Sequence, residues 1–204
     1  MLIKVILKIL YLLQQPLNYC WNILLCMNNG VEYISFPTIK GRVRILNLGI
    51  IVFGKNVKIN SGRNYNIIGG DIRTNIIVYK DAKFEIGDNV GLSNSTFVCS
   101  RSIIIQDDVL IGGGCKFYDT DFHSLDFENR MKPYKYGLVD QGVSSKGILI
   151  KQGAWIGGHC IVLKGVTIGR NSILGAGSVL SRDIPDNEVW GGNPASFIRK
   201  LEKN

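Results

Sequence analysis

The chain has 204 residues, 46% of them hydrophobic and 20% charged, which suits one domain with a small appendage. The net charge is +8, but the 24 lysines and arginines are scattered and no aromatic RNA-binding signature appears, so nucleic-acid binding is not expected. The five cysteines form no C-x-x-C pair, which argues against a zinc site or a secreted disulfide framework and favours reduced thiols in the cytoplasm.

Residues 1–40 are predicted to form a separate apolar helical segment. The opening run MLIKVILKILYLL is too short to span a bilayer, which takes about 20 apolar residues, and it lacks the flanks of a signal peptide. Lys4 and Lys8 would share one helix face, and Pro16 is expected to stop or kink the helix before a second one. Two interpretations stay open: helices that pack on the domain or on a partner chain, and a peripheral membrane anchor.

Residues 41–204 are predicted to form a second unit, because aliphatic residues recur every six positions. The clearest series is Ile150, Ile156, Val162, Ile168, Leu174 and Leu180. Glycine often follows the aliphatic residue, and a small residue or valine lies four positions after it. Each unit of six predicts a short strand and a turn, and three units form one triangular turn of a parallel β-helix. An amphipathic helix would need a period of 3.6 instead.

Two further features follow from this repeat. Cys115 and Cys160 fall at the position four after an aliphatic residue, which favours small spacers over nucleophiles. Stacked repeats also need capped ends. The N-terminal helices and the segment SFIRKLEKN, predicted as a short C-terminal helix, are the candidates for these caps.

The repeat breaks between Phe117 and Ile150, which predicts an excursion loop at 118–147. The break opens with FYDTDFHSLD and contains His123, one of two histidines in the chain. A loop of this length without structure of its own is uncommon in a compact domain unless it is functional or disordered. The excursion is therefore a candidate functional segment.

The stretch WIGGHCIVLKGVTIGRNSILGAGSVLSRDIP, the WGGNPA that follows it and the D-x-H of the excursion resemble the hexapeptide-repeat acyltransferases. The similarity is closest to the branch of galactoside, maltose and polysaccharide O-acetyltransferases and covers roughly residues 75–200. It implies an all-β fold, a left-handed parallel β-helix, with a homotrimer whose active sites lie between neighbouring coils. It also implies that the excursion loop reaches over the neighbouring subunit.

The resemblance further implies acetyl transfer from acetyl-CoA to a sugar hydroxyl, with no metal. His123 matches the general base of the family, and Gly158 matches the position whose backbone amide stabilises the oxyanion. Asp121, Asp119 or a backbone carbonyl would orient the imidazole. His159 is either a surface or interface residue or a helper in the site.

Substrate-binding residues are also expected from the resemblance. Asn94 matches an acceptor-binding position, although a polar turn residue is an equal alternative, and Trp155 matches the acceptor and thioester site. In the excursion, Asp121, Arg130, Tyr134 and Tyr136 are available to the acceptor. The residues expected to bind coenzyme A are Gly158, Ala176, Ser181, Arg182, Arg199 and Lys200. A family arginine is replaced by Ser196, which makes phosphate contact through Arg199 less certain.

Other functions remain as alternatives. A γ-class carbonic anhydrase uses the same coil, but its zinc needs three histidines and this chain has two. A non-catalytic β-helical scaffold would not need the excursion. Antibiotic acetylation and N-acetylation of a nucleotide-linked amino sugar stay open. O-acetylation of a surface-polysaccharide sugar or its lipid-linked precursor is favoured, because the N-terminal segment could contact a membrane.

Overall fold

The computed structural model describes residues 2–66, 68 and 73–202, and within residues 2–13 it describes the backbone alone. In these residues the helices are α1 (Leu2–Asn28) and α2 (Phe127–Tyr136). The strands are β1 (Glu32–Tyr33), β2 (Thr38–Gly41), β3 (Arg44–Asn47), β4 (Ile50–Phe53), β5 (Lys58–Ser61), β6 (Asn75–Val78), β7 (Lys83–Ile86), β8 (Gly91–Ser93), β9 (Thr96–Cys99), β10 (Ser102–Ile105), β11 (Leu110–Ile111), β12 (Lys116–Tyr118), β13 (Ile148–Ile150), β14 (Trp155–Ile156), β15 (Ile161–Leu163), β16 (Thr167–Ile168), β17 (Ile173–Leu174), β18 (Val179–Leu180), β19 (Glu188–Gly192) and β20 (Ala195–Lys200).

The strands stack into three sheets that form the three sides of a parallel β-helix. One sheet has the order β1-β4-β7-β10-β13-β16, and another has β3-β6-β9-β12-β15-β18. The third sheet has the order β2-β5-β8-β11-β14-β17-β19-β20. Each strand from β1 to β15 therefore pairs with the strand three places later, so three strands complete one turn of the coil. The predicted parallel β-helix architecture is confirmed.

The six-residue series forms the interior ladder of this coil. Ile150 pairs with Ile168 and Ile156 pairs with Leu174, eighteen positions apart in each case. All six residues of the series from Ile150 to Leu180 have 0% exposure. Three units of six thus make one turn, and burial of their aliphatic side chains is the main stabilising contribution to the coil.

The register of the coil is the same on both sides of the excursion. Ile105 pairs with Ile150, and Phe117 pairs with Val162. The chain thus leaves the coil after β12 and returns at β13 without shifting the inward-facing positions. The excursion is therefore an insertion that a rigid scaffold holds at both ends.

The cysteines at the corner positions are buried, and their thiols form hydrogen bonds. The Sγ of Cys115 donates to the carbonyl oxygen of Gly157 at 3.1 Å, and the Sγ of Cys160 donates to that of Gly175 at 3.1 Å. The interaction with Cys160 and burial both raise the pKa of the Cys115 thiol. Both residues have 0% exposure, which fits spacers and not accessible nucleophiles.

The N-terminal segment contains one helix, and the prediction of two was wrong. Helix α1 continues through Pro16, although proline removes one backbone hydrogen bond at a typical cost of about 3 kcal/mol. Tertiary contacts offset this cost: the buried Asn22 donates to the carbonyl oxygen of Gly41 at 2.8 Å and accepts from the Val43 N–H at 3.3 Å. Over the described residues, no helix is both long and apolar enough to cross a membrane.

Two features at the ends of the coil differ from the predictions made from the sequence. Strand β1 already pairs with β4, so the coil begins before residue 41, and the division into two units at that residue stays a prediction. The predicted short C-terminal helix is wrong, because Ala195–Lys200 forms strand β20, antiparallel to β19. This hairpin satisfies the hydrogen-bonding groups along the edge of the sheet. The side chains of Lys4 and Lys8 lie outside the described residues.

Candidate active site

The excursion has structure of its own, contrary to the expectation of a plain loop. It contains helix α2, which begins after the N-cap residue Asp126 and ends at Gly137 in the left-handed region. The Asp126 carboxylate accepts the Asn129 N–H at 2.8 Å, a regular N-cap bond. The capped helix gives the excursion a defined shape.

His123 lies in the excursion before α2 and contacts a carboxylate. Its Nδ1 is 3.1 Å from the Oδ2 of Asp140, and its side chain is 50% exposed. Asp140 is only 11% exposed and also accepts the Ser124 N–H at 3.2 Å. Phe122, just before the histidine, has a φ of 65°, a backbone state that is strained for a bulky residue and is frequent at functional sites. The sequence did not single out Asp140 as the partner of the imidazole.

The two carboxylates that were expected to orient His123 have other partners. Asp119 is fully buried and accepts the backbone N–H groups of Ser100, Arg101 and Ser102 at 2.6 to 2.8 Å. Burial raises its pKa, although these three hydrogen bonds act in the opposite direction. Its role is to tie the start of the excursion to the coil. Asp121 forms an ion pair with Lys164, with 2.9 Å between Oδ2 and Nζ.

The remaining predicted excursion residues differ in their exposure. Arg130 donates through Nη1 to the carbonyl oxygens of Ser124 and Leu125, at 2.8 and 3.2 Å, and thereby links α2 to the segment that carries His123. Tyr134 and Tyr136 are exposed. Their contact with an acceptor stays a prediction.

A groove of about 380 Å³ lies at one corner of the coil, and none of its described lining residues belongs to the excursion at 118–147. Its wall contains Trp155, Gly158 and Ala176, three residues predicted for the site, together with His159 and Ile68. Trp155 is 53% exposed although it lies in strand β14. A large apolar side chain in this position is well suited to cover a ligand.

The backbone at this corner offers hydrogen-bond donors to the groove. Among the described residues, none accepts a hydrogen bond from the N–H groups of Gly158 and Ala176. The corners stack closely, since a Cβ on Gly157 would lie 2.5 Å from the Ala176 nitrogen. Only glycine allows this approach. Two free amides beside an exposed tryptophan can bind carbonyl oxygens and stabilise a developing oxyanion.

His159 lies in the wall of the groove, and a hydrogen bond holds its side chain there. Its Nε2 is 2.7 Å from the carbonyl oxygen of Ile68, across 91 positions of sequence. Ile68 belongs to the segment between β5 and β6, a second excursion that sequence analysis did not identify. The interrupted pattern of NYNIIGGDIRT, with no repeat of six, was its only signal.

Asn94 supports the same second excursion. It is fully buried, accepts the Gly62 N–H at 2.6 Å through Oδ1, and donates through Nδ2 to the Asn66 carbonyl oxygen at 3.4 Å. Asn66 also lines the groove. Asn94 therefore supports a residue that lines the groove, while its contact with an acceptor stays a prediction.

The other residues predicted for coenzyme A lie outside the described wall of the groove. Ser181, Arg182, Arg199 and Lys200 are all exposed. Arg199 lies opposite Val189, which lies opposite the groove residue Ile173. Two strand spacings separate Arg199 from Ile173, roughly 10 Å. This arginine is thus within the length of an extended ligand that leaves the groove.

The structure does not bring all predicted site residues together in one chain. His123 is absent from the described residues that line the groove, whereas Trp155, Gly158 and Ala176 share it. Within residues 2–66, 68 and 73–202, no three His, Cys, Asp or Glu side chains form a cluster suited to a metal. The pair of His123 and Asp140 and the groove are therefore two separate parts of a candidate site.

Comparison with known proteins identifies the coil. The family profile described as bacterial transferase hexapeptide (six repeats) matches residues 147–182. This segment contains β13 to β18 and the whole buried series from Ile150 to Leu180. Residues 147–182 are therefore similar to the repeats of the hexapeptide transferases.

Similarity to individual transferases covers part of each protein. A galactoside O-acetyltransferase of Lactococcus lactis is 35% identical over 53% of this chain and 48% of its own. An acetyltransferase of Vibrio cholerae, complexed with acetyl coenzyme A, has a TM-score of 0.52 and 35% identity over 59% of this chain and 61% of its own. A galactoside acetyltransferase in complex with coenzyme A has a TM-score of 0.51 and 36% identity over 58% of this chain and 56% of its own. The chain spans about half the length of the curated relatives that it matches.

Proposed function

We propose that this transferase moves an acetyl group from acetyl-CoA to a hydroxyl group of a sugar, in a surface polysaccharide or its precursor. The observation that carries the proposal is the pair of His123 and Asp140, an exposed imidazole held by a carboxylate in the excursion. Related proteins named as acetyltransferases, one of them complexed with acetyl coenzyme A, support the same reaction class. We assign the enzyme to the cytoplasm, because its five cysteines are free.

In the proposed reaction, His123 acts as the general base. An Nδ1–H that donates to Asp140 leaves Nε2 to accept the hydroxyl proton as the sugar oxygen attacks the thioester carbonyl. The Gly158 N–H stabilises the tetrahedral oxyanion. The imidazolium then returns the proton to the leaving thiolate, so no acyl-enzyme forms.

The groove is the proposed binding site for acetyl-CoA. Trp155 covers the thioester end, and the Ala176 N–H binds the pantetheine chain. Ser181 lies along the path of that chain. Arg182, Arg199 and Lys200 neutralise the phosphates farther along, where their charge is accessible.

We also propose a homotrimer with a left-handed coil, in which a neighbouring chain brings His123 to the groove. The absence of His123 from the described wall of the groove supports this arrangement. So do the apolar residues that the excursion exposes, among them Leu125 at 82% and Val139 at 79%. Light scattering should give about three times the chain mass of 22.6 kDa. A monomer at micromolar concentration would contradict the shared site.

The N-terminal segment is proposed to contact a membrane surface or a lipid-linked acceptor. The second half of α1 packs on the coil through Asn22 and Cys26, but Leu17, Leu24 and Met27 remain exposed. Deletion of residues 1–15 should reduce co-sedimentation with anionic liposomes. Unchanged sedimentation of a folded variant would favour packing as the sole role of the segment.

An acceptor screen tests the proposed function directly. Thiol release from acetyl-CoA should depend on a sugar hydroxyl, and the product should carry an O-acetyl ester. The His123→Ala variant provides the matched control with the same acceptor. Release that requires an amine, or that His123→Ala leaves unchanged, would contradict O-acetylation by this base.

A further inference from the structure

A second cavity borders the segment between β5 and β6, which also contributes Asn66 and Ile68 to the groove. It has a volume of about 330 Å³ and is bounded by α1, the turn after β2 and the start of the second excursion. Arg42, Arg63 and Arg73 line it, and no Asp or Glu is among its described lining residues. We call this cavity the arginine pocket.

The positive charge of the arginine pocket is not neutralised by the described part of the chain. The ion pairs of the described residues involve none of its three arginines. Three arginines that line one small cavity create a positive potential that favours the binding of an anion. Their planar donors suit phosphate oxygens in particular.

Arg42 is held in place as in a built site. Its Nε donates to the Oδ1 of Asn18 at 2.9 Å, and Asn18 is only 2% exposed. The guanidinium carbon of Arg42 lies 5.1 Å from the centre of the Trp21 ring, a cation–π contact. These contacts use one edge and one face of the guanidinium, so its terminal nitrogens are left to donate to a ligand.

Tyr65 fixes the opposite wall of the arginine pocket. Its hydroxyl oxygen accepts hydrogen bonds from Asn18 at 3.2 Å and from Gln15 at 3.1 Å, both on α1. Its ring lies against Gly41, where a Cβ would come within 2.7 Å of the ring atoms. With a φ of +84°, Gly41 is also in a conformation that other residues rarely adopt. The loop that carries Arg63 is thereby held against the helix.

The arginine pocket and the groove share one wall. Asn94 binds the Gly62 N–H on the side of the arginine pocket and the Asn66 carbonyl oxygen on the side of the groove. Gly62 lines the first cavity, and Asn66 and Ile68 line the second. The two cavities therefore adjoin the same short segment, and an acceptor that occupied both would cross it.

We propose that the arginine pocket binds a phosphate or pyrophosphate group of the acceptor, an activated sugar. The identity of the acceptor rests on the proposed function, whereas the existence of a phosphate site is independent of it. Two kinds of activated sugar carry such a phosphate group: a sugar linked to a nucleoside diphosphate and a sugar linked to a polyprenyl diphosphate. The acetylated molecule would then be a biosynthetic precursor, and a preceding glycosyl- or nucleotidyl-activating reaction would supply it.

Titration calorimetry with inorganic pyrophosphate tests the site without any acetyl transfer. We expect the full chain to bind pyrophosphate, and the double variant Arg63→Gln with Arg73→Gln to bind it at least roughly tenfold more weakly. Both arginines are exposed, so the double variant should remain folded. Arg101→Gln is the matched control, because Arg101 is exposed and lies outside the pocket. No binding to the full chain, or equal binding by the double variant, would overturn the site.

Competition experiments then identify the source of the phosphate. Displacement of pyrophosphate by uridine diphosphate supports the nucleotide-linked sugar, and displacement by geranyl diphosphate supports the lipid-linked sugar. Displacement by coenzyme A, together with weaker direct binding of coenzyme A by the double variant, would instead assign the pocket to the cofactor and overturn the acceptor assignment. If pyrophosphate binds as expected but no sugar is acetylated, the proposed function fails while the phosphate site stands.

Discussion

The two histidines of the chain are held in opposite ways by the two excursions from the coil. His123 lies in the excursion after β12, and its Nδ1 contacts the Asp140 carboxylate. His159 lies on the coil itself, and its Nε2 contacts the carbonyl oxygen of Ile68 in the excursion after β5. The first contact leaves Nε2 without a hydrogen-bond partner among the described residues, whereas the second occupies Nε2 in a structural hydrogen bond.

The difference shows that the partner of an imidazole is more informative than its presence near a cavity. A carboxylate stabilises the imidazolium that forms when a base accepts a proton, whereas a backbone carbonyl oxygen accepts only the ring N–H. His159 lines the groove and His123 does not, yet His123 has the partner suited to a general base. We therefore assign proton transfer to the excursion and ligand binding to the groove.

The most severe test of this assignment is the variant His123→Ala. Acetyl transfer should fall by roughly 10² to 10⁴, the usual contribution of a general base. The buried ladder of the coil does not include His123, so the oligomeric state and acetyl-CoA affinity should not change. Turnover with one validated acceptor at saturating acetyl-CoA gives the result. Turnover near that of the unmodified enzyme would refute the role of His123.

The variant Asp140→Asn should have the next largest effect, a loss of about tenfold to a hundredfold in turnover, because a hydrogen bond to a charged group contributes about 1.5–3 kcal/mol. The amide group has the size of the carboxylate, but it carries no charge to stabilise an imidazolium. The double variant with His123→Ala should be no slower than His123→Ala alone, because the two residues act as one unit. The control is Asp121→Asn, which removes the ion pair with Lys164 and keeps the His123 contact. Additive losses in the double variant would show that Asp140 acts independently of the imidazole.

The coil was predictable because a single local rule determines it. The inward position of each unit requires an aliphatic residue, so Ile150 and its five successors could be placed from spacing alone, and all are buried. The ends did not follow that rule. Strand β20 forms because the sheet edge offers it hydrogen bonds, a long-range effect that the local sequence SFIRKLEKN does not reveal.

The resemblance predicted site residues both on the coil and in the excursion, but the structure brings only those on the coil together in one groove. Trp155, Gly158 and Ala176 meet in one groove because the repeat stacks their corners. The partner of His123 could not be read in the same way, since 17 positions and helix α2 separate Asp140 from it. The excursion after β5 was missed because its contact with His159 spans 91 positions and has no periodic signal.

Binding can be separated from chemistry with the variants Arg182→Ala and Arg199→Ala in combination. Acetyl-CoA affinity should fall by about tenfold, since each arginine can form charge-assisted hydrogen bonds with a phosphate. The salt dependence of binding should also become flatter. Turnover at saturating acetyl-CoA should not change, in contrast to His123→Ala. Calorimetric titration at two salt concentrations measures both effects, and unaltered affinity would remove these arginines from the cofactor site.

The smallest effect is expected from His159→Ala. Its Nε2 bond to the Ile68 carbonyl oxygen fixes one wall of the groove, and loss of one hydrogen bond costs about 1 kcal/mol. The Michaelis constant for acetyl-CoA should therefore rise by about twofold to tenfold, with little change in turnover at saturation. His159→Gln, which retains an N–H donor, should recover part of the affinity. If His159→Ala instead lowers turnover more than His123→Ala does, proton transfer belongs to the groove and the roles of the two histidines are reversed.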